Sequence, residues 1–141
     1  MIKLKEHVDF TLICMLKLMK YIIFFTLLQN LWCDSFDRNA TFEKGLGQFN
    51  EGKISLAIDY FSKSMKKGDE KSAFYLGSIY YYGDGVFIDY TKAMYYFEIA
   101  ANRGSLSANF MLGLMYAEGY GVDKDLKKTV QYFDIATNKK G

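Results

Sequence analysis

The residue types that carry out chemistry are few in this chain. Its one histidine is His7, near the N-terminus. A serine or cysteine nucleophile elsewhere in the chain therefore has no histidine to activate it. After Cys33, zinc would have to be held by carboxylates alone, which suits that ion poorly, and no metal or cofactor is expected. Ser64-Met65-Lys66-Lys67 has the S-x-x-K spacing of serine acylases, but the S-D-N and K-T-G elements that accompany it are absent. The motif also falls in the last turn of an expected helix, where lysines favour the helix C-terminus and stay solvated. No catalytic residue is assigned. Gly83-Asp84-Gly85 and Gly119-Tyr120-Gly121 have the glycine content of phosphate loops. They lack a following Lys-Ser/Thr and lie between two expected helices, not after a strand. Asp84, Asp89, Asp123 and Asp125 do not have the spacing of a calcium loop and read as caps and solubilising charges.

The elements that hold these residues repeat. Leu76-Gly77-Ser78-Ile79-Tyr80 returns 36 residues later as Leu112-Gly113-Leu114-Met115-Tyr116. Pairing residues 72–104 with 108–140 without a gap leaves 14 of 33 positions identical. A fixed period of this size is the mark of stacked repeats. Ala73, Leu76, Gly77 and Tyr80 fall at i, i+3, i+4 and i+7, one face of a helix. Gly83 and Gly85 supply positive φ where that helix ends, and Asp89 is placed to cap the next one. Ala93, Tyr96, Phe97 and Ala100 form its buried stripe. The third unit follows the same plan through Phe110, Leu112, Gly113, Tyr116, Gly119, Gly121 and Asp125, then Tyr132, Phe133, Ile135 and Ala136. It has Thr129 and Thr137 where the second has alanine, which predicts a looser contact there. Ala57, Tyr60, Phe61 and Gly68 lie 36 residues before their counterparts, while Leu46-Gly47 lies only 30 before Leu76-Gly77. The first unit is thus read as having a connecting loop six residues shorter. The expected fold is all-α, a short right-handed α-solenoid of three helix-turn-helix units at 38–68, 69–104 and 105–141.

These residues resemble the Sel-1-like repeat family, a branch of the tetratricopeptide-like solenoids. Its pattern is met by Ser72, Leu76, Gly77, Tyr80, Gly83, Gly85, Val86, Asp89, Lys92, Ala93, Tyr96, Phe97, Ala100, Ala101 and Gly104, and again from Ala108 to Ala136. The resemblance implies a role as an adaptor between proteins. A cysteine-rich bacterial branch carries a penicillin-binding or β-lactamase label, which keeps a hydrolase as an alternative. That branch bridges the helices of each repeat with a cysteine pair. This chain has Ile79 and Phe97 in such helices, and no cysteine follows Cys33.

By analogy with such stacks, the first helix of each pair lines a groove for a protein or peptide. The candidates are Lys44 and Gln48, then Lys71, Ser78, Tyr81 and Tyr82, then Ser107, Leu114 and Glu118. Tyr81 and Tyr82 lead, because aromatic side chains give large contact area at low entropic cost. The helix around Leu126–Ala136 is expected to leave an apolar flank for a partner or a second copy. Residues 34–141 hold 14 basic and 14 acidic side chains, and a neutral body argues against nucleic acid. Residues 21–33 form an apolar run after Lys17 and Lys20, short for a membrane span and right for an export signal. Residues 1–35 are therefore read as a signal peptide of ordinary form from Met19, with residues 1–18 as an over-long start and a cut after Ser35 or near Ala40. The expected location is periplasmic or secreted. A signal-anchor in the inner membrane, serving an envelope assembly factor, is the alternative.

Overall fold

The computed structural model describes residues 2–137, and side chains from residue 12 onward. His7 and the Lys139-Lys140 tail fall outside the described side chains. Six helices are found among the described residues: α1 (Ile2–Asn50), α2 (Ile54–Lys66), α3 (Glu70–Tyr82), α4 (Tyr90–Asn102), α5 (Leu106–Glu118) and α6 (Leu126–Ala136). The chain divides into two compact units, Met1–Asp37 and Arg38–Gly141.

The first unit is the leading part of α1. Its apolar side chains, among them Ile13, Leu16, Ile22, Phe24, Leu28 and Trp32, are exposed on every side of the helix. The most apolar 18-residue window in the part of α1 from Leu12 reaches a mean hydropathy of 1.7, so this helix is long and apolar enough to cross a membrane. Ser35 and Ala40, the two expected cleavage points, lie inside α1.

The second unit is a stack of three helix pairs. They are α1 from Arg38 with α2, α3 with α4, and α5 with α6. One joint is used three times. A phenylalanine ring in the second helix of each pair packs closely against a glycine of the first. A Cβ added at Gly45, Gly77 or Gly113 would come within 2.8, 2.6 or 2.6 Å of the ring of Phe61, Phe97 or Phe133. One turn before each glycine a second phenylalanine packs on the same ring. The pairs Phe42–Phe61, Phe74–Phe97 and Phe110–Phe133 have centroids 5.8, 5.6 and 5.3 Å apart. This corrects the register read for the first unit. Gly47 has nothing within 4 Å of its added Cβ, and Gly45 takes the place of Gly77. The spacing is then 32 residues rather than 30, and the first connecting loop is four residues shorter rather than six.

The turns follow the repeat. Gly83 and Gly119 adopt left-handed φ of 74° and 76°, and their N–H groups donate to the Ile79 and Met115 carbonyls at 2.9 and 2.8 Å. The chain then restarts on aspartate. Lys92 N–H donates to Asp89 at 2.9 Å, and Lys128 N–H to Asp125 at 3.0 Å. Asp69 and Ser105 cap α3 and α5 in the same way. Gly85 and Gly121 each let the turn close on the preceding pair. An added Cβ would meet Ile54 at 2.7 Å or the Tyr90 backbone at 2.9 Å.

The loosening expected at Thr129 is absent, while Thr137 is exposed and its Oγ1 donates to the Phe133 carbonyl at 2.9 Å. Thr129 is buried and its Oγ1 donates to the Asp125 carbonyl at 2.9 Å, so the extra hydroxyl is satisfied within its own helix. Gly113 and Phe133 approach as closely as Gly77 and Phe97. Phe110 is half exposed rather than buried.

Candidate functional site

Ser64 is fully buried, and its hydroxyl donates to the Arg38 carbonyl at 3.1 Å. The oxygen that would act as a nucleophile is enclosed and engaged in holding α2 to α1. The lysines of the motif, Lys66 and Lys67, are exposed as expected, while its serine is not. Cys14 and Cys33 are exposed free thiols. Among the described residues no three His, Cys, Asp or Glu side chains converge as metal ligands.

The contact candidates divide by register. Lys71 and Ser107 are equivalent under the 36-residue period, as are Ser78 and Leu114, and Tyr82 and Glu118. At intervals of seven and four residues, each set lies along one face of its helix. Lys71, Tyr82, Ser107 and Glu118 are exposed, while Ser78 and Leu114 are half-buried. Lys71 Nζ sits 5.8 Å from the centre of the Phe42 ring, and Ser78 Oγ donates to the Phe74 carbonyl at 3.0 Å. Leu114 packs against the core of the last two pairs. Lys44 and Gln48 lie off this row. With Gly45 in place of Gly77, the equivalents of Ser78 and Tyr82 are Leu46 and Asn50. Lys44 is exposed and Gln48 half-buried.

The three consecutive tyrosines part company. Tyr80 stacks on Tyr96 at 5.8 Å and 12°, with Lys92 Nζ 5.0 Å from its ring centre. The third unit repeats this with Tyr116 on Tyr132 at 5.6 Å and 10°, and Lys128 Nζ donating to Tyr116 Oη at 3.3 Å. Tyr81 turns into an aromatic cluster with Tyr90 at 5.5 Å, Tyr120 at 6.0 Å and Phe97 at 6.3 Å. Burial pushes the Tyr81 phenol above its ordinary value, and Tyr120 and Tyr82 add to the shift. Tyr81 therefore joins the second and third units and is largely spent on packing. Tyr82 is 61% exposed.

Two large exposed apolar residues are not among the candidates expected from the sequence. Phe87 is 96% exposed, and Ile88 beside it is exposed too. Both lie in the turn after Tyr82, where the third unit has Asp123 and Lys124. That difference between copies was the signal available in the sequence. On α6, Leu126 and Val130, one turn apart, are exposed as the expected flank, whereas Ile135, read as part of the buried stripe, is exposed on the side opposite Leu126.

Residues 42–69, 71–105 and 106–140 match the family described as Sel1 repeat. A protective antigen of uropathogenic Escherichia coli, described as having an SLR fold, is similar with a TM-score of 0.67. It is 26% identical over 74% of this chain and 23% of its own. A Sel1 repeat protein from Oxalobacter formigenes gives a TM-score of 0.65 at 30% identity, over 74% of this chain and 44% of its own. Cysteine rich protein B of Helicobacter pylori gives 0.58 at 20% identity, over 74% of this chain and 90% of its own, a likeness of fold alone. This chain spans less than half the length of the first two structures. No curated protein matches it.

Proposed function

Because this chain belongs to the Sel1 repeat family, we propose that it is a non-catalytic adaptor that holds another protein or peptide outside the cytoplasm. Repeats of this family generally mediate contacts between proteins, which supports the binding half of the proposal. The observation that carries it is the pair Tyr82 and Phe87, large apolar side chains turned to solvent where the third unit has Glu118 and Asp123. Covering a phenylalanine contributes about 1.5–3 kcal/mol, enough for two such residues to dominate a small interface. Affinity capture from the source envelope tests this. A protein retained by the wild type and lost with the double variant Tyr82→Ala, Phe87→Ser supports it, provided both chains melt alike. Equal capture by both chains contradicts it.

The export half rests on α1, whose leading part is apolar on all sides, a pattern suited to lipid or to a removed signal. Removal gives a periplasmic or secreted protein, and retention gives an envelope protein anchored in the inner membrane. Intact mass and fractionation separate the two. Recovery of the uncut chain in the cytoplasm contradicts both.

A further inference from the structure

A groove of about 410 Å³ opens between α4 and α6, with α5 as its floor. Glu98 and Ala101 line it from α4, Asn109 and Leu112 from α5, and Tyr132 and Ile135 from α6. The internal repeat explains why it is open. At the matching place between α2 and α4, Met65 stands for Ala101 and Ala73 for Asn109. Met65 packs against both hydrophobic clusters of the stack. Ala101 lacks that side chain and leaves the space free of the described residues, and Asn109 makes its floor polar.

Asn109 is only 5% exposed. Its Nδ2 donates to the Ser105 carbonyl at 2.8 Å, while its Oδ1 accepts no hydrogen bond among the described residues. This amide lines the groove, where a ligand that donates to its oxygen takes the place of water. Glu98 is the charged residue of the lining and is exposed. Tyr132 feels its carboxylate. Burial first, then Tyr116 and Glu98, push the phenol above its ordinary value, against an opposing pull from Lys128. The apolar wall is Ala101, Leu112 and Ile135. A carboxylate and an amide oxygen in a lining that also offers aliphatic surface fit a long side chain that ends in a cation.

We propose that this groove takes a lysine or arginine side chain of a partner polypeptide, its stem along Leu112 and Ile135 and its charged head between Glu98 and Asn109 Oδ1. The proposal rests on the protein-binding reading only for the source of that side chain, so the groove is tested by itself with small probes. The full chain, ¹⁵N-labelled in zwitterionic micelles, is titrated with the N-methylamides of Nα-acetyl-arginine, Nα-acetyl-lysine and Nα-acetyl-glutamine. Saturable shifts at the Asn109 side-chain amide, Ala101 and Tyr132 are expected with a basic probe and not with the neutral one. Glu98→Gln weakens that binding roughly tenfold, the loss of one charge-assisted bond. Ala101→Met, which fills the groove as Met65 fills its counterpart, abolishes it with the remaining spectrum unchanged. Should that variant fold poorly, Asn109→Ala carries the residue of the preceding repeat and weakens binding as well. Equal binding of the glutamine probe, or wild-type binding by Glu98→Gln and by the folded filling variant, overturns the proposal.

Discussion

A single atom decides the register of the first unit. Its Leu46-Gly47 matches the repeated Leu-Gly string, and that string sets the register expected from the sequence. What the fold needs is room for a ring, and that need is written as Phe-x-x-Gly: Phe42 to Gly45, Phe74 to Gly77, Phe110 to Gly113. Gly45→Ala places a methyl 2.8 Å from the Phe61 ring and is expected to destabilise the stack by about 1–3 kcal/mol. Gly47→Ala meets nothing and is expected to be neutral or to stabilise α1 by up to about 1 kcal/mol. Urea melts of the two variants check the sign at each site. Ser72 gives the opposite kind of test. It is fully buried and its hydroxyl finds no partner among the described residues, while the third unit has Ala108 there. Ser72→Ala is expected to raise the melting midpoint, by about 1 kcal/mol of stability.

Each element rotates successive side chains by about 100°, and this sorts residues that look alike in sequence. Tyr80, Tyr81 and Tyr82 stand in a row, yet one stacks within its own helix pair, one bridges to the next pair, and one meets solvent. The periodicity assigned Tyr80 to the core face. It could not separate Tyr81 from Tyr82, because Tyr90 and Tyr120, which enclose Tyr81, come from other elements. The stacks have a consequence at alkaline pH. Tyr81, Tyr96 and Tyr132 are all raised above the ordinary tyrosine value, each mainly by burial. A raised folded-state value means that the folded chain holds its protons more tightly than the unfolded one. Their contribution is full below about pH 10 and is lost as the pH rises through the higher folded values. The urea midpoint is expected to fall over that window, and Tyr96→Phe with Tyr132→Phe to flatten the fall. A slope unchanged in the double variant would place its origin elsewhere.

Over the whole molecule, the repeated residues build the stack and the residues that differ between copies decide its surface. The three pairs, their glycine turns and the caps at Asp89 and Asp125 were legible because each is a local need repeated at a fixed period. The turn at Phe87 and the groove at Asn109 were not read from the sequence. Their meaning depends on what stands at the equivalent place in another copy, Asp123 in one case, Met65 and Ala73 in the other, and on which space that side chain fills. The central claim is that this surface binds a protein through the Tyr82–Phe87 turn. The most direct measurement is photo-crosslinking in the source cells, with benzoylphenylalanine placed at position 87 and, as a control, at Lys63 on the exposed side of α2. A discrete protein adduct from position 87 that is absent from position 63 is the predicted result. No adduct at 87 beyond that seen at 63, in a chain that folds and localises as the wild type does, would contradict the account.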